Sequence, residues 1–203
     1  YVSHMRRIIK ISSTGLVHFF CLTVFAIILA SEQALAEGRS SKNDNELKSL
    51  FNELLISETA SSADKITVKI WEIWTNDSSS DSGRYAMVQG INLMNQGRLS
   101  AAEKLFSILI MKEPNYIEAW NKRATIRFMM GQNETSLKDV FVVLSKEPKH
   151  FGAVSGLGLI LMQKKDFEGA LQAYKKVLQI NPFSRDALRI IPILEQRTLG
   201  ERI

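Results

Sequence analysis

The stretch that decides the fold is residues 156–182, which read GLGLILMQKKDFEGALQAYKKVLQINP. It ends in Pro182, and two further prolines, Pro148 and Pro114, precede Pro182 at two equal intervals. A fixed period between about 20 and 50 residues is typical of stacked supersecondary units that share one continuous core. Three of the four prolines in the chain therefore predict an array of units of constant length.

The residues between the prolines keep the same register, since small or apolar residues ahead of Pro114 recur at the same offsets ahead of Pro182. Two helices can cross closely where one carries a small side chain and an aromatic residue of the other fills the space beside it. Proline ends the second helix because it lacks a backbone N–H. Each unit is therefore predicted to be a helix hairpin. The recurring pairs are Gly90 and Gly158, Leu93 and Leu161, Leu99 and Phe167, Ala102 and Ala170, and Phe106 and Tyr174.

This pattern resembles the tetratricopeptide-repeat (TPR) family, whose units are about 34 residues long and carry W-x2-L-G-x2-Y, then A-x3-F, then P. Leu157-Gly158 and the pair Ala170 and Tyr174 match that signature in the third unit, and Trp120 supplies the aromatic opening of the middle unit. The resemblance implies an all-α solenoid of antiparallel helix hairpins, wound into a right-handed superhelix. It also implies a protein that binds other proteins and is not itself an enzyme.

The middle unit departs most from this pattern. Arg127 stands where an aromatic residue is usual, and Ser136 replaces the usual alanine. Gly97 of the first unit also has a lysine, Lys165, as its counterpart in the third. Helix starts are predicted from polar residues whose side chains can accept a hydrogen bond from a free backbone N–H. The predicted N-caps are Ser100, Asn115, Asn133, Asp166 and Ser184.

The register of the prolines divides the chain into segments. Residues 44–77 are interpreted as a helical hairpin that is either a degenerate repeat or an addition to the array. A closing helix is expected to cover the last hairpin with Leu188, Ile191 and Leu194, because an open end would expose apolar surface. The remaining predicted segments are a serine-rich loop at 78–82, repeat units at 83–116, 117–150 and 151–184, and a C-terminal capping helix and tail at 185–203.

The first part of the chain is typical of an export signal. Arg6, Arg7 and Lys10 precede an apolar run at 16–30, and an A-x-A cleavage motif ends at Ala36. We therefore expect cleavage after Ala36 and a periplasmic protein. An uncleaved anchor in the inner membrane, facing the periplasm, stays open, although the run is shorter than the roughly 20 residues that span a bilayer. The predicted segments are an extension at 1–4, a signal peptide at 5–36 and a flexible lead-in at 37–45.

The composition offers little for catalysis or for binding nucleic acid. The formal charge of +5 is dispersed along the chain, whereas nucleic-acid binding needs clustered basic residues. The only cysteine, Cys21, lies in the apolar run, and His150 is the one histidine beyond Ala36. A single histidine without cysteine does not make the usual zinc site. We predict no catalytic residue, no metal site and no cofactor, and we predict Trp71 and Trp74 as core residues.

In the TPR arrangement the first helix of each hairpin lines the concave face of the array. The residues that the resemblance places on that face include four methionines, which adapt to varied apolar partners. We predict that this face binds a helix or an extended peptide of a partner protein. Two alternatives stay open. The closing helix or the N-terminal hairpin buries these residues within the chain, or the protein is a structural homo-oligomer in which the groove is self-occupied. The predicted binding residues are Met87, Ile91, Met94, Asn95, Asn121, Lys122, Thr125, Phe128, Met129, Ser155, Leu159, Met162 and Gln163.

Overall fold

The computed structural model describes residues 41–200, with side chains from Asn43 onward. Within this range the chain forms nine α-helices and no strand, and none of these helices is both long and apolar enough to cross a membrane. The predicted extension, signal peptide and first part of the lead-in lie outside the described residues. The helices are α1 Ser41–Leu55, α2 Ala60–Asn76, α3 Asp81–Asn95, α4 Leu99–Lys112, α5 Ile117–Met129, α6 Asn133–Lys146, α7 Phe151–Gln163, α8 Phe167–Ile180 and α9 Arg185–Gly200.

Three helix hairpins, α3–α4, α5–α6 and α7–α8, share one register. Their second helices run over 99–112, 133–146 and 167–180, so both boundaries recur at the interval that separates the three prolines. Consecutive hairpins contact each other through α4 with α5 and through α6 with α7. The predicted all-α solenoid of helix hairpins is therefore confirmed.

The two helices of a hairpin approach most closely at the small residues that the sequence singled out. A Cβ atom added to Gly90 would lie 2.4 Å from Cζ of Phe106, and one added to Gly158 would lie 2.7 Å from Cε2 of Tyr174. Both aromatic rings are buried. Because a ring takes the space where a side chain would stand, glycine is required at these two positions.

In the middle hairpin, two buried apolar residues, Ala124 and Val140, stand at the equivalent positions, and polar groups add contacts beside them. Arg127 donates from Nε to Glu103 of α4 and from Nη1 to Asp139 of α6, both at 2.8 Å. Asp139 also accepts two hydrogen bonds of 2.8 Å from Arg123. Ser136 donates from Oγ to a carbonyl of α5 at 2.7 Å. The two departures from the family pattern are thus compensated by charge-assisted and neutral hydrogen bonds within the core.

The first helix of each hairpin is followed by a residue with left-handed backbone. The φ angles are 71° at Gly97, 75° at Gly131 and 62° at Lys165. Such a residue commonly ends a helix, and it is usually glycine because a Cβ atom is disfavoured in this conformation. The third turn therefore carries backbone strain that the first two turns avoid.

Two of the five predicted N-caps are confirmed. Asp166 and Ser184 each accept a hydrogen bond from the backbone N–H three residues further along. In α4, α5 and α6 the N-cap residue makes no side-chain hydrogen bond, so the predictions at Ser100, Asn115 and Asn133 are wrong. The N-cap residues of these helices, Arg98, Tyr116 and Gln132, lie one or two residues from the predicted positions.

The closing helix α9 packs against α8. Its buried residues include Ala187, Ile190 and Leu194, whereas Leu188 is exposed. The predicted buried stripe of Leu188, Ile191 and Leu194 is therefore wrong at Leu188. A constant spacing of three residues drifts around a helix with about 3.6 residues per turn, and mixed spacings of three and four stay on one face.

We expect Lys165→Gly to stabilise the protein by about 0.5–1 kcal/mol, because glycine adopts the left-handed backbone of this turn without a Cβ penalty. The measurement is the free energy of unfolding from urea titrations followed by circular dichroism. Lys138→Gly is the matched control, since it changes an exposed position inside α6 and should lower the free energy of unfolding by about 0.5–1 kcal/mol. Equal destabilisation by both variants would contradict the proposed strain at Lys165.

Candidate protein-binding surface

The predicted binding residues lie on α3, α5 and α7 in rows of equivalent positions. Residues one repeat apart occupy the same place on successive first helices, so each row runs across the array. Besides Lys122, the four rows are Met87, Asn121 and Ser155; Ile91, Thr125 and Leu159; Met94, Phe128 and Met162; and Asn95, Met129 and Gln163.

The first of these rows is largely inside the protein. Met87 has 0% exposure and belongs to a cluster of buried residues that includes Phe106, Tyr116 and Ile126. Asn121 is 6% exposed, and its amide donates to the carboxylate of Glu118. Met87 and Asn121 therefore lie in the core. The sequence pattern predicts an open surface for both residues.

Helix α2 lies across the starts of the first helices. Asp64, near its N-terminal end, pairs with Arg185 at the start of α9, and Trp71 contacts the start of α7. Thr75, near its C-terminal end, accepts a hydrogen bond from the hydroxyl of Tyr116, the residue before α5. One helix therefore spans the junctions that follow all three repeat units.

The centre of this contact is a stack of aromatic rings on His150. Trp74 lies parallel to the imidazole, with ring centroids 3.9 Å apart, and Trp71 meets Phe151 edge-on at 5.3 Å. His150 is fully buried, and its Nδ1 accepts the backbone N–H of Ala153 at 3.1 Å, which caps α7. An accepting Nδ1 places the ring proton on Nε2. The Nδ1 atom of His150 is therefore used to cap α7, and Nε2 carries the proton that the ring can donate.

Glu118 lies next to His150, and its carboxylate contacts the imidazole ring. Its Oε2 accepts from Nε2 of His150 at 3.0 Å, and its Oε1 pairs with Nζ of Lys122 at 2.9 Å. Burial raises the pKa of this carboxyl, but the hydrogen bond from His150 and the charge of Lys122 outweigh burial, and the pKa is lowered. Glu118 therefore stays ionised in the protein interior, surrounded by donors.

Gly152 makes room for α2 on α7. A Cβ atom added to Gly152 would lie 2.5 Å from Cη2 of Trp71. The next glycine on the same helix, Gly156, has only a methyl group of Val140 nearby, at 4.0 Å. The absence of a side chain at Gly152 therefore permits the docking of Trp71 on the array.

Hydrogen bonds to Glu113 hold the loop that joins the C-terminal end of α2 to α3. Glu113 accepts hydrogen bonds from the hydroxyls of Ser78 and Ser80 and from the backbone N–H of Ser79, at 2.6–3.1 Å. Burial raises the pKa of Glu113, and these hydrogen bonds lower it by more, so that its pKa lies below the ordinary value. A polar pocket of about 420 Å³ adjoins the loop and is lined by residues that include Asn43, Asn76 and Asp77.

The other three rows lie beyond α2. Met129 is 52% exposed and Leu159 is 39% exposed; the other seven are half-buried or exposed. We call this surface the open strip. It consists of Ile91, Met94, Asn95, Thr125, Phe128, Met129, Leu159, Met162 and Gln163.

The sequence left open that the N-terminal hairpin buries residues of the predicted groove, but it did not show that α2 lies across the beginnings of the first helices. Trp71 and Trp74 were predicted as core residues, and Trp74 is 1% exposed, but their partners are residues of the repeats. Two features of the sequence belong to this contact, namely Gly152 at a helix start and the lone histidine His150 at a repeat boundary. Neither signal identifies its partner, because the contacts join residues that lie far apart along the chain.

The described residues contain no group of three or more His, Cys, Asp or Glu side chains that could hold a metal ion. His150 and Glu118, which are adjacent and titratable, are both fully buried. Their side-chain nitrogen and oxygen atoms are taken up by hydrogen bonds to each other and to Ala153, Asn121 and Lys122. The geometry therefore gives the pair a structural role.

The sequence profile of the tetratricopeptide repeat matches residues 153–184. A TPR repeat-containing protein of Rhizobium etli is 32% identical to the chain over 200 residues, which cover 97% of this chain and 98% of that protein.

Two solved structures are similar in fold. The first TPR of Spaghetti (RPAP3), bound to the HSP90 peptide SRMEEVD, has a TM-score of 0.57 at 17% identity and covers 60% of this chain and 96% of that one. MamA of Desulfovibrio magneticus RS-1 has a TM-score of 0.53 at 17% identity and covers 79% of this chain and 88% of that one.

We expect Gly152→Ala to destabilise the protein by about 1–2 kcal/mol, because the added methyl group collides with the Trp71 ring. Gly156→Ala, one turn further along α7, should instead stabilise it by about 0.5–1 kcal/mol through better helix propensity. Urea unfolding measures both values, and tryptophan fluorescence reports whether Trp71 has moved. A stabilising Gly152→Ala would show that Trp71 does not pack there.

Stability should fall in acid as the carboxyls of Glu118 and Glu113 are protonated. Both pKa values lie below the ordinary value of 4.5. The stabilisation by the two ionised carboxylates is therefore complete when the pH is above that ordinary value, and it is lost as the pH falls through the lowered pKa values. Glu118→Gln should lower the free energy of unfolding by about 2–3 kcal/mol at neutral pH, because its amide would face three donors. The same variant should make the free energy of unfolding depend less on pH in the acid range. Glu134→Gln, an exposed control, should change stability by less than about 0.5 kcal/mol.

Proposed function

The chain belongs to the tetratricopeptide-repeat family, and from this premise we propose that it is a non-catalytic interaction module of the cell envelope. In this proposal a segment of a partner protein binds on the open strip. The observation that carries it is the exposure of Met129 and Leu159 on a face whose other half is closed by α2. Apolar groups left uncovered beside a packed interface are typical of a surface that meets a partner.

The chemistry of the strip supports an apolar partner. None of its nine residues is charged, and its central row consists of Met94, Phe128 and Met162. Methionine side chains are flexible and polarisable, so they adapt to the shape of an apolar anchor. Lys122, the one charged residue of the predicted groove, already pairs with Glu118 and lies over the Trp71 ring. The partner is therefore expected to bind through apolar contacts.

The fold likeness adds support of a general kind. The TPR domain of Spaghetti (RPAP3) is bound to a peptide in its solved structure, so an array of this type is able to hold a segment of another protein. The placement in the envelope rests on a separate observation, the export signal pattern of residues 5–36. We infer that the chain acts in the periplasm after cleavage at Ala36, or from the inner membrane if it remains uncleaved.

A second candidate function is a homo-oligomeric structural role, which one observation favours. Tyr85 on α3 is 68% exposed, whereas its equivalents Ala119 and Ala153 are buried against the preceding hairpin. The outer face of the first hairpin thus lacks a stacking neighbour among the described residues, since α2 lies across the array. A second copy stacked on this face would bury it.

We expect Met129→Glu to abolish capture of the partner from an envelope extract, because a charge would be placed in the middle of the apolar strip. Met111→Glu is the matched control, since Met111 is 75% exposed on the second helix α4 and lies outside the strip. The measurement is affinity capture with the purified chain as bait, with circular dichroism to verify folding.

Equal capture by the wild type and both variants would contradict binding on the strip. Sedimentation velocity on the same samples distinguishes the second candidate. A tight homo-oligomer that captures no partner, and that Tyr85→Glu dissociates, would favour the structural role.

A further inference from the structure

We propose that the outer side of α4 and α6 binds the surface of an anionic lipid bilayer. This inference goes beyond the proposed function, because it concerns the second helices of two hairpins, whereas the open strip lies on the first helices. An acidic protein segment is the competing occupant and is one outcome of the test. We call this surface the lysine face. It consists of Lys104, Ile108 and Lys112 on α4 and Lys138, Val142 and Lys146 on α6.

The first argument is the position of these residues on their helices. On both helices they follow one another at every fourth position, so they lie along one side of the helix. The residues that pack inside the hairpins, which include Phe106 on α4 and Val140 on α6, are buried. By contrast, Ile108 is 47% exposed, and the lysines and Val142 are exposed or half-buried. The lysine face is therefore the solvent side of these two helices.

The two stripes are neighbours that share one orientation. Each residue of the α4 stripe has its counterpart one repeat further along, in α6. Arg123 of α5 donates to Ser107 on α4 and to Asp139 on α6, so the two helices lie side by side. The pattern ends at α8, where glutamine replaces the first lysine and the buried Ile180 replaces the last. The lysine face thus covers the first two repeat units.

The second argument is that the acidic side chains of α4 and α6 do not neutralise the lysines. Glu103 and Asp139 accept hydrogen bonds from Arg127 of α5, and Glu134 pairs with Lys164, which follows α7. Within the described part of the chain, none of the four lysines of the face forms an ion pair with these carboxylates. Their positive charges are therefore available to an anionic surface.

The glutamates that directly follow the two helices are held by the junctions between units. Glu113 accepts the backbone N–H of Ser79 at 2.8 Å, and Glu147 accepts the backbone N–H of Lys149 at 3.3 Å. Lys146 donates to the neutral side-chain oxygen of Asn115. These contacts turn the two carboxylates toward backbone donors of the next unit.

Acidic charge is concentrated in another part of the protein, the N-terminal hairpin. Residues 43–81 contain eight acidic residues and three lysines, whereas the lysine face contains four lysines. An asymmetric charge distribution orients a protein as it approaches a charged surface. The distribution therefore favours an approach in which the lysine face meets an anionic surface first.

The third argument is the apolar residue between each pair of lysines, which favours a bilayer over an acidic protein segment. Lysine stems are long and flexible, so the ammonium groups reach the lipid phosphates while the stems and Ile108 lie at the boundary of the acyl chains. An ammonium group is a point charge that needs no fixed partner geometry, which suits mobile headgroups. The export signal that the pattern of residues 5–36 predicts would also bring the chain to a membrane.

The test measures which lysines become protected when the purified full chain meets vesicles. Vesicles of phosphatidylcholine alone are compared with vesicles of phosphatidylcholine and phosphatidylglycerol in equal parts, and polyglutamate is the third probe. Lysines are acetylated in a brief pulse, and mass spectrometry identifies the modified positions. Because each lysine is measured separately, association through the apolar run at 16–30 does not imitate protection of the lysine face.

The internal control is a pair of exposed lysines on α2, Lys65 and Lys69. They are also separated by one helical turn, but the acidic residues Asp64 and Glu72 lie close to them along the helix. We expect acetylation of Lys104, Lys112 and Lys138 to slow by about fivefold or more with the anionic vesicles and to stay unchanged with the neutral ones. Lys65 and Lys69 should react equally fast in both, and high salt should remove the protection.

The double variant Lys104→Gln with Lys138→Gln should need about tenfold more anionic lipid to protect Lys112, because each lysine adds to the attraction. Lys65→Gln with Lys69→Gln removes the same charge and should change that lipid concentration by less than about twofold. Circular dichroism verifies that both variants are folded, as expected for exposed positions.

Equal protection of Lys65 and the lysine face, or equal protection by neutral vesicles, would overturn the proposal. Protection by polyglutamate but not by anionic vesicles would overturn the bilayer and assign the face to an acidic protein segment. Neither result bears on the open strip, whose test is capture of the partner by Met129→Glu and the wild type.

Discussion

The close approach of the two helices within each hairpin is the constraint on which the rest of the structure depends. Gly90 admits the ring of Phe106, and Gly158 admits that of Tyr174, at distances that leave no room for a Cβ atom. This contact sets the register of each second helix against its first. Because the contact repeats, the helix boundaries and the left-handed turn residues repeat with it. In the middle hairpin, Ala124 and Val140 stand at the equivalent positions, and both are buried.

The N-terminal hairpin adds a second constraint, centred on the buried carboxylate of Glu118. A buried charge is costly unless donors surround it, and here His150, Lys122 and Asn121 supply those donors. Trp74 closes the site by stacking on His150. The cluster joins residues of α2, α5 and α7, so one helix ties successive repeats together. This attachment limits how far the array can flex, since the contacts of a single rigid helix must all be kept.

The same attachment divides the face that the family resemblance presents as one groove. The beginnings of the first helices are used to hold α2, and their ends form the open strip. Recognition is therefore restricted in our proposal to a segment that fits an apolar strip without charge. Met129 and Leu159 are its two most exposed large apolar side chains.

The sequence by itself determined the repeat. The period of the prolines, the small residues at Gly90 and Gly158, and the aromatic residues opposite them act within one hairpin, so short-range spacing was enough to predict the helices and their stacking. Only the tertiary structure decided where α2 lies, which residues of the predicted groove are buried and why His150 is needed. Those contacts join Trp71 and Trp74 to residues far along the chain. A helical stripe in the sequence shows that a face is buried, but it does not show against which surface.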